Sequence, residues 1–65
     1  MELVNAHQVS EMTGVPVGTL RYWRHANLGP TSFTLGRRIV YRREEVLRWI
    51  TEQEAATRRG GGDAA

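Results

Sequence analysis

Apolar positions along this chain change period twice, from helical to alternating and back to helical. Ala6, Val9 and Met12 lie on one side of a helical wheel, so they predict a short first helix over about residues 6–13. Leu20 and Trp23 fall together with Asn27, whereas Gly18, Arg21, Tyr22 and His25 fall on the opposite side. That division predicts a second helix with one core face and one basic, aromatic face. Phe33-Thr34-Leu35 and Ile39-Val40-Tyr41 are short runs rich in β-branched and aromatic residues, separated by Gly36-Arg37-Arg38. They predict a β-hairpin with paired arginines at its tip. From about Arg43, Val46, Ile50 and Gln53 share a helical face with Trp49 on its flank. This third helix is expected to cover the first two and the base of the hairpin, with Trp23 and Trp49 in the core.

The punctuation between these segments agrees with the periods. Asn5 is a good N-cap, Gln8 stands where a capping box needs it, and Val4 and Val9 occupy the positions of a hydrophobic staple. Gly14 sits where a left-handed residue closes a helix, and Pro16 suits the first turn of the next one. Two helices joined so tightly predict a helix-turn-helix. Asn27-Leu28-Gly29-Pro30 ends the second helix, and Leu28 is expected to tuck under Trp23. Glu44 and Glu45 in the first turn of helix three, and Arg58 and Arg59 near its end, complement its dipole. The folded domain is expected over residues 1–57, with 58–65 a flexible tail ending in Gly-Gly-Gly-Asp-Ala-Ala.

Charge changes the picture more than composition does. The net charge is +2, yet all six arginines between Met12 and Arg43 stand in a stretch without a single Asp or Glu. Such segregation points to a nucleic-acid backbone as partner. All nine basic residues are arginine, which fits either selection for phosphate and base contacts or a GC-rich genome. On the second helix, an arginine and a tyrosine on one outward stripe suit guanine edges or phosphate oxygens, and Gly18 lets a backbone approach closely. A solvated stripe that is basic by chance is the alternative. A hairpin tip has no core to build, so Arg37 and Arg38 are suited to a minor groove or to phosphates, with surface solubility as the alternative.

Other function classes are excluded or disfavoured. With 65 residues, the chain buries only about 60% of its unfolded surface. Without cysteine it has no disulfide or thiolate metal site, and its two histidines are far apart. No cofactor and no metal are expected. No Ser/His/Asp or Cys/His set, carboxylate pair or phosphate loop is present, and adjacent Glu44 and Glu45 point about 100° apart on a helix. The chain is therefore not read as an enzyme. No apolar run approaches the ~18 residues of a membrane span, and Glu2 stands where a signal peptide carries positive charge. A cytoplasmic protein with no membrane partner is expected.

Thr13-Gly14-Val15 followed by Thr19-Leu20-Arg21-Tyr22-Trp23 resembles the DNA-binding end of the MerR regulators. The Leu35-Gly36-Arg37-Arg38 turn and the Tyr41-Arg42-Arg43-Glu44-Glu45-Val46 run resemble small excisionase-type relatives of that family, of phage and actinobacterial type. The likeness spans about residues 3–50. It implies a mainly α fold with a small β-hairpin, a MerR-like winged helix-turn-helix. Two features depart from the family pattern. Pro16 stands where a Ser, Thr or Asp usually opens the second helix, and Gly18 weakens that helix by up to ~1 kcal/mol, so a short or frayed helix is expected. The chain also stops soon after helix three, so neither a sensor domain nor a small-molecule effector is expected.

The excisionase resemblance implies a recombination directionality factor. Such proteins bind repeated sites beside a phage attachment site on double-stranded DNA, associate cooperatively there, bend the DNA and direct an integrase towards excision. It implies recognition by Gly18, Thr19, Arg21, Tyr22, Arg24 and His25, with Arg37 and Arg38 on the wing and Arg42 and Arg43 bracing the backbone. Direct base contact falls to Arg21. A minimal transcriptional regulator of the same fold and a protein-interaction module with an acidic partner stand as alternatives.

Overall fold

The computed structural model describes residues 2–61. The elements run β1 (Leu3–Val4), α1 (Ala6–Thr13), α2 (Val17–His25), β2 (Phe33–Leu35), β3 (Arg38–Arg42) and α3 (Arg43–Thr57). Helix α1 begins and ends where local chemistry dictates. The Asn5 side chain accepts from the Gln8 N–H at 2.8 Å, and the Gln8 side chain accepts from the Asn5 N–H at 2.8 Å, completing the capping box. Gly14 adopts φ 79° and its N–H donates to the Ser10 carbonyl at 2.7 Å. Pro16 then stands one position before the first residue of α2, as its N-cap, and α2 keeps nine helical residues despite Gly18.

The strands form a three-stranded antiparallel sheet in the order β1-β3-β2, not the two-stranded wing expected from sequence. The added strand pairs Leu3 with Arg42 and Val4 with Tyr41. At only two residues it carries no alternation to read, and its partner lies far along the chain. The hairpin itself pairs Leu35 with Arg38, leaving Gly36 and Arg37 as its two-residue turn. Gly36 has φ 63° and Arg37 does not share that positive φ, the pattern of a turn with glycine at its first central position.

Val4, Val9, Leu20, Tyr41 and Val46 form the buried cluster, drawn from β1, both helices of the helix-turn-helix, β3 and α3. Val4 and Val9, the two staple residues, both belong to it. Trp23 and Ile50 pack at its edge, and Trp23 meets Trp49 with ring centroids 5.7 Å apart and planes tilted 55°. That aromatic contact ties α2 to α3.

Four details of α2 and α3 differ from expectation. Helix α2 stops at His25, and its carbonyls are taken up by a Schellman turn: the Leu28 N–H donates to Trp23 at 2.6 Å and the Asn27 N–H to Arg24 at 3.2 Å. Asn27 is the left-handed residue of that turn, φ 64°, so it is exposed rather than on the core face. Leu28 is 54% exposed; Gly29 lies against the Trp23 ring in its place, followed by buried Pro30. On α3, Gln53 is exposed, and Arg58 is the C-cap, so neither Arg58 nor Arg59 lies in the last turn. Of the expected tail, residues 62–65 lie outside the described residues.

Candidate nucleic-acid interface

Strand alternation and the packing of α2 against the sheet build one basic groove. Along β3, Ile39 and Tyr41 point to one face while Arg38, Val40 and Arg42 start from the other. Ile39 and Tyr41 form the wall and floor of a groove of about 360 Å³. Arg21 and Arg24 enter it from α2, one helical turn apart, and Arg37 and Arg38 enter it from the wing. The opposite rim is the start of α1, where Asn5, Ala6 and His7 line the groove. Arg21, Arg37 and Arg38 are exposed, whereas Arg24 is half-buried. Among the described residues no acidic side chain lines this groove, so its four arginines have no neutralising carboxylate in it.

Arg24 is the most constrained of the four. Its Nε is shut off from solvent and has no hydrogen-bond partner among the described residues. A buried donor left without a partner costs about 1–3 kcal/mol. Tyr41 lies close enough to feel the Arg24 charge. Burial raises the Tyr41 phenol above its ordinary value, and the Arg24 charge opposes that shift only in part.

The other residues expected to act divide between this groove and its surroundings. His25 borders a shallower depression with Arg21, Arg24 and Ile39, continuing the basic surface along α2. Tyr22 is 64% exposed, too open for a core role. Gly18 is exposed and Thr19 half-buried, both in the first turns of α2. Arg42 and Arg43 do not line the groove. The Arg42 guanidinium lies over the Phe33 ring, 5.4 Å from its centroid, on the sheet face opposite Tyr41. Arg43 meets Glu2, Nε to Oε1 3.7 Å, and its backbone N–H donates to the Glu2 carbonyl at 2.9 Å.

Sequence reasoning missed Asn5, Ala6, His7, Ile39 and Tyr41 as lining residues. The period-two alternation of β3 carried the signal for Ile39 and Tyr41. No local signal exists for the α1 residues, which reach the groove only through tertiary packing. Among the described residues no group of three or more His, Cys, Asp or Glu side chains is placed to hold a metal ion. Nor is any described helix long and apolar enough to cross a membrane.

Gly18 offers a direct check on the helix. The space where a Cβ would stand is empty to 4 Å. We expect Gly18→Ala to raise stability by about 0.5–1 kcal/mol in a urea melt, because alanine loses less backbone entropy in a helix. A destabilised variant would mean that the side-chain space is not free.

A family model described as a helix-turn-helix domain matches residues 3–54, most of the chain. The chain belongs to that family, which includes excisionase-like DNA-binding proteins. No curated protein and no solved structure matches it. Three helices and a three-stranded antiparallel sheet among the described residues make its fold a winged helix-turn-helix. Such a domain implies sequence-specific DNA binding, and proteins of this family are typically not enzymes.

Proposed function

We propose that this chain is an excisionase-type DNA-binding protein that works in the cytoplasm of a bacterial host. In this reading it occupies repeated sites beside a phage attachment site, bends the DNA and directs an integrase towards excision. The observation that carries the DNA-binding part is the convergence of Arg21 and Arg24 with Arg37 and Arg38 on one groove. Helix α2 enters a major groove, where Arg21 reads a guanine edge, and the wing arginines reach the flanking phosphates or minor groove. The excision role is supported by the likeness of the wing turn and the Tyr41–Val46 run to excisionase-type relatives, and by a family that includes such proteins.

A domain this small covers few base pairs, and phosphate contacts alone bind weakly at physiological salt. Several copies therefore bind side by side on repeated half-sites, with contacts between neighbours supplying cooperativity. A gel-shift titration on a fragment spanning an attachment site, against a random duplex of equal length, tests this reading. Stepwise or cooperative complexes on the attachment fragment, at concentrations where the random duplex stays free, are expected. Equal affinity per site on single-site and multi-site duplexes would refute the cooperative part. Specific binding at a promoter with altered transcription, and none at the attachment site, would assign the chain to transcriptional control instead.

A further inference from the structure

We propose that the floor of the basic groove is a phosphate site in which Tyr41 and Arg24 act with the exposed N-terminus of α1. This inference rests on the DNA-binding reading and assigns to the site a phosphodiester of the DNA backbone. Tyr41 is 2% exposed and lines the groove, and its side chain makes no hydrogen bond within the described residues. Arg24 Nε, not the Tyr41 hydroxyl, is the sealed and unpartnered atom, so the hydroxyl opens onto the groove, where it can donate to an acceptor seated there. Arg24 shares that floor, its Nε sealed from solvent and unpartnered among the described residues. Facing both, Ala6 and His7 are the first two residues of α1, and their N–H groups have no carbonyl within the helix to bond.

The two other donors at this helix end are already taken. The Gln8 N–H donates to the Asn5 side chain at 2.8 Å, and the Val9 N–H donates to the Asn5 carbonyl at 3.0 Å. What remains is a pair of backbone donors at the positive end of a helix, a phenol donor and a guanidinium, arranged around one groove that, among the described residues, no carboxylate lines. A tetrahedral oxyanion offers acceptor oxygens in several directions at once, whereas a base edge offers at most two acceptors in one plane and cannot satisfy donors that converge from the strand and from two helices. The phenol is protonated, and so a donor, at neutral pH, and burial raises it further. The phosphate seated here fixes the register of α2 in the groove and carries no base information.

The test compares wild-type protein with Tyr41→Phe, which keeps the core ring, with Arg24→Gln, and with the double variant. Each is titrated with duplex DNA over a range of salt. Tyr41→Phe is expected to weaken binding about 5- to 10-fold with an unchanged salt slope, since no charge is removed. Arg24→Gln is expected to lower the slope by about 0.9. Because both groups hold one phosphate, adding Tyr41→Phe to Arg24→Gln costs less than it does alone. In parallel, inorganic phosphate is titrated into the protein while the Ala6 and His7 amides and the Arg24 Nε–H are followed by NMR. Movement of all three in the wild type, reduced in Tyr41→Phe, supports the site. If phosphate moves them but no duplex binds, the anion site stands and the DNA reading fails. If duplex binds equally to wild type and Tyr41→Phe and phosphate leaves the three signals still, the site is overturned while DNA binding stands.

Discussion

Gly29→Ala will destabilise this protein by about 2–5 kcal/mol, because a left-handed backbone and a crowded Cβ position coincide there. Two independent penalties add at this position. Gly29 holds φ +76°, a left-handed conformation that costs a residue with a Cβ roughly 1–2 kcal/mol. A Cβ placed there would also stand 2.7 Å from Cε3 of Trp23 and 3.3 Å from its Cβ. The indole cannot swing aside without giving up its contact with Trp49 at 5.7 Å and its place beside the core, so overpacking adds about 1–3 kcal/mol. For a domain of this size each kcal/mol lowers the melting temperature by about 4–8 °C. Gly36→Ala supplies the control: its φ is +63°, but nothing lies within 4 Å of its Cβ position, so it pays only the backbone penalty. Equal melting temperatures for the two variants would show that the Trp23 contact does not constrain Gly29.

The contrast between those glycines also explains what could be read without the structure. Helix α1 was legible from end to end because Asn5, Gln8 and Gly14 act within one turn of themselves. The wing was legible because alternating residues flank a glycine turn, and its arginines stood out because no acid shares their stretch. Long-range partners were not. Strand β1 exists only because β3 has a free edge for Leu3 and Val4, and the special role of Gly29 exists only because Trp23 passes beneath it. Extending a helical wheel past His25 placed Asn27 on the core face, yet the chain had already turned left-handed there.

The groove shows the same division. Its four arginines follow from charge pattern and from predicted elements, whereas its Tyr41 floor and α1 rim follow from how three elements meet. The excisionase resemblance implies that Arg42 and Arg43 act beside them, bracing the backbone. Alternation sends Arg42 to the Phe33 face, and the strand-to-helix junction sets Arg43 against Glu2. Two of the six clustered arginines thus lie outside the groove, one over Phe33 and one beside Glu2.

That arrangement yields the second large prediction, a separation of affinity from base preference between the wing and α2. If Arg24, Arg37 and Arg38 meet phosphates while Arg21 reads a base edge, log K should fall with log salt at a slope of roughly −2.7, at about 0.9 per neutralised phosphate. Arg37→Ala with Arg38→Ala is expected to reduce that slope by about 1.8. It should weaken binding roughly 10- to 100-fold at ~0.1 M salt, by a similar factor on cognate and random duplexes. Both residues are exposed and Arg37 lies in the turn, so their loss leaves the core intact and the melting temperature unchanged within error. Arg21→Ala should behave differently: it weakens the cognate duplex by about 1–3 kcal/mol while random duplexes lose only the single-charge share. Arg42→Ala, outside the groove and over Phe33, should change the salt slope far less than either. An Arg21 variant that loses equally on both duplexes would reassign Arg21 to the phosphates. A wing variant whose slope is unchanged would remove the wing from the interface and leave α2 to carry the DNA alone.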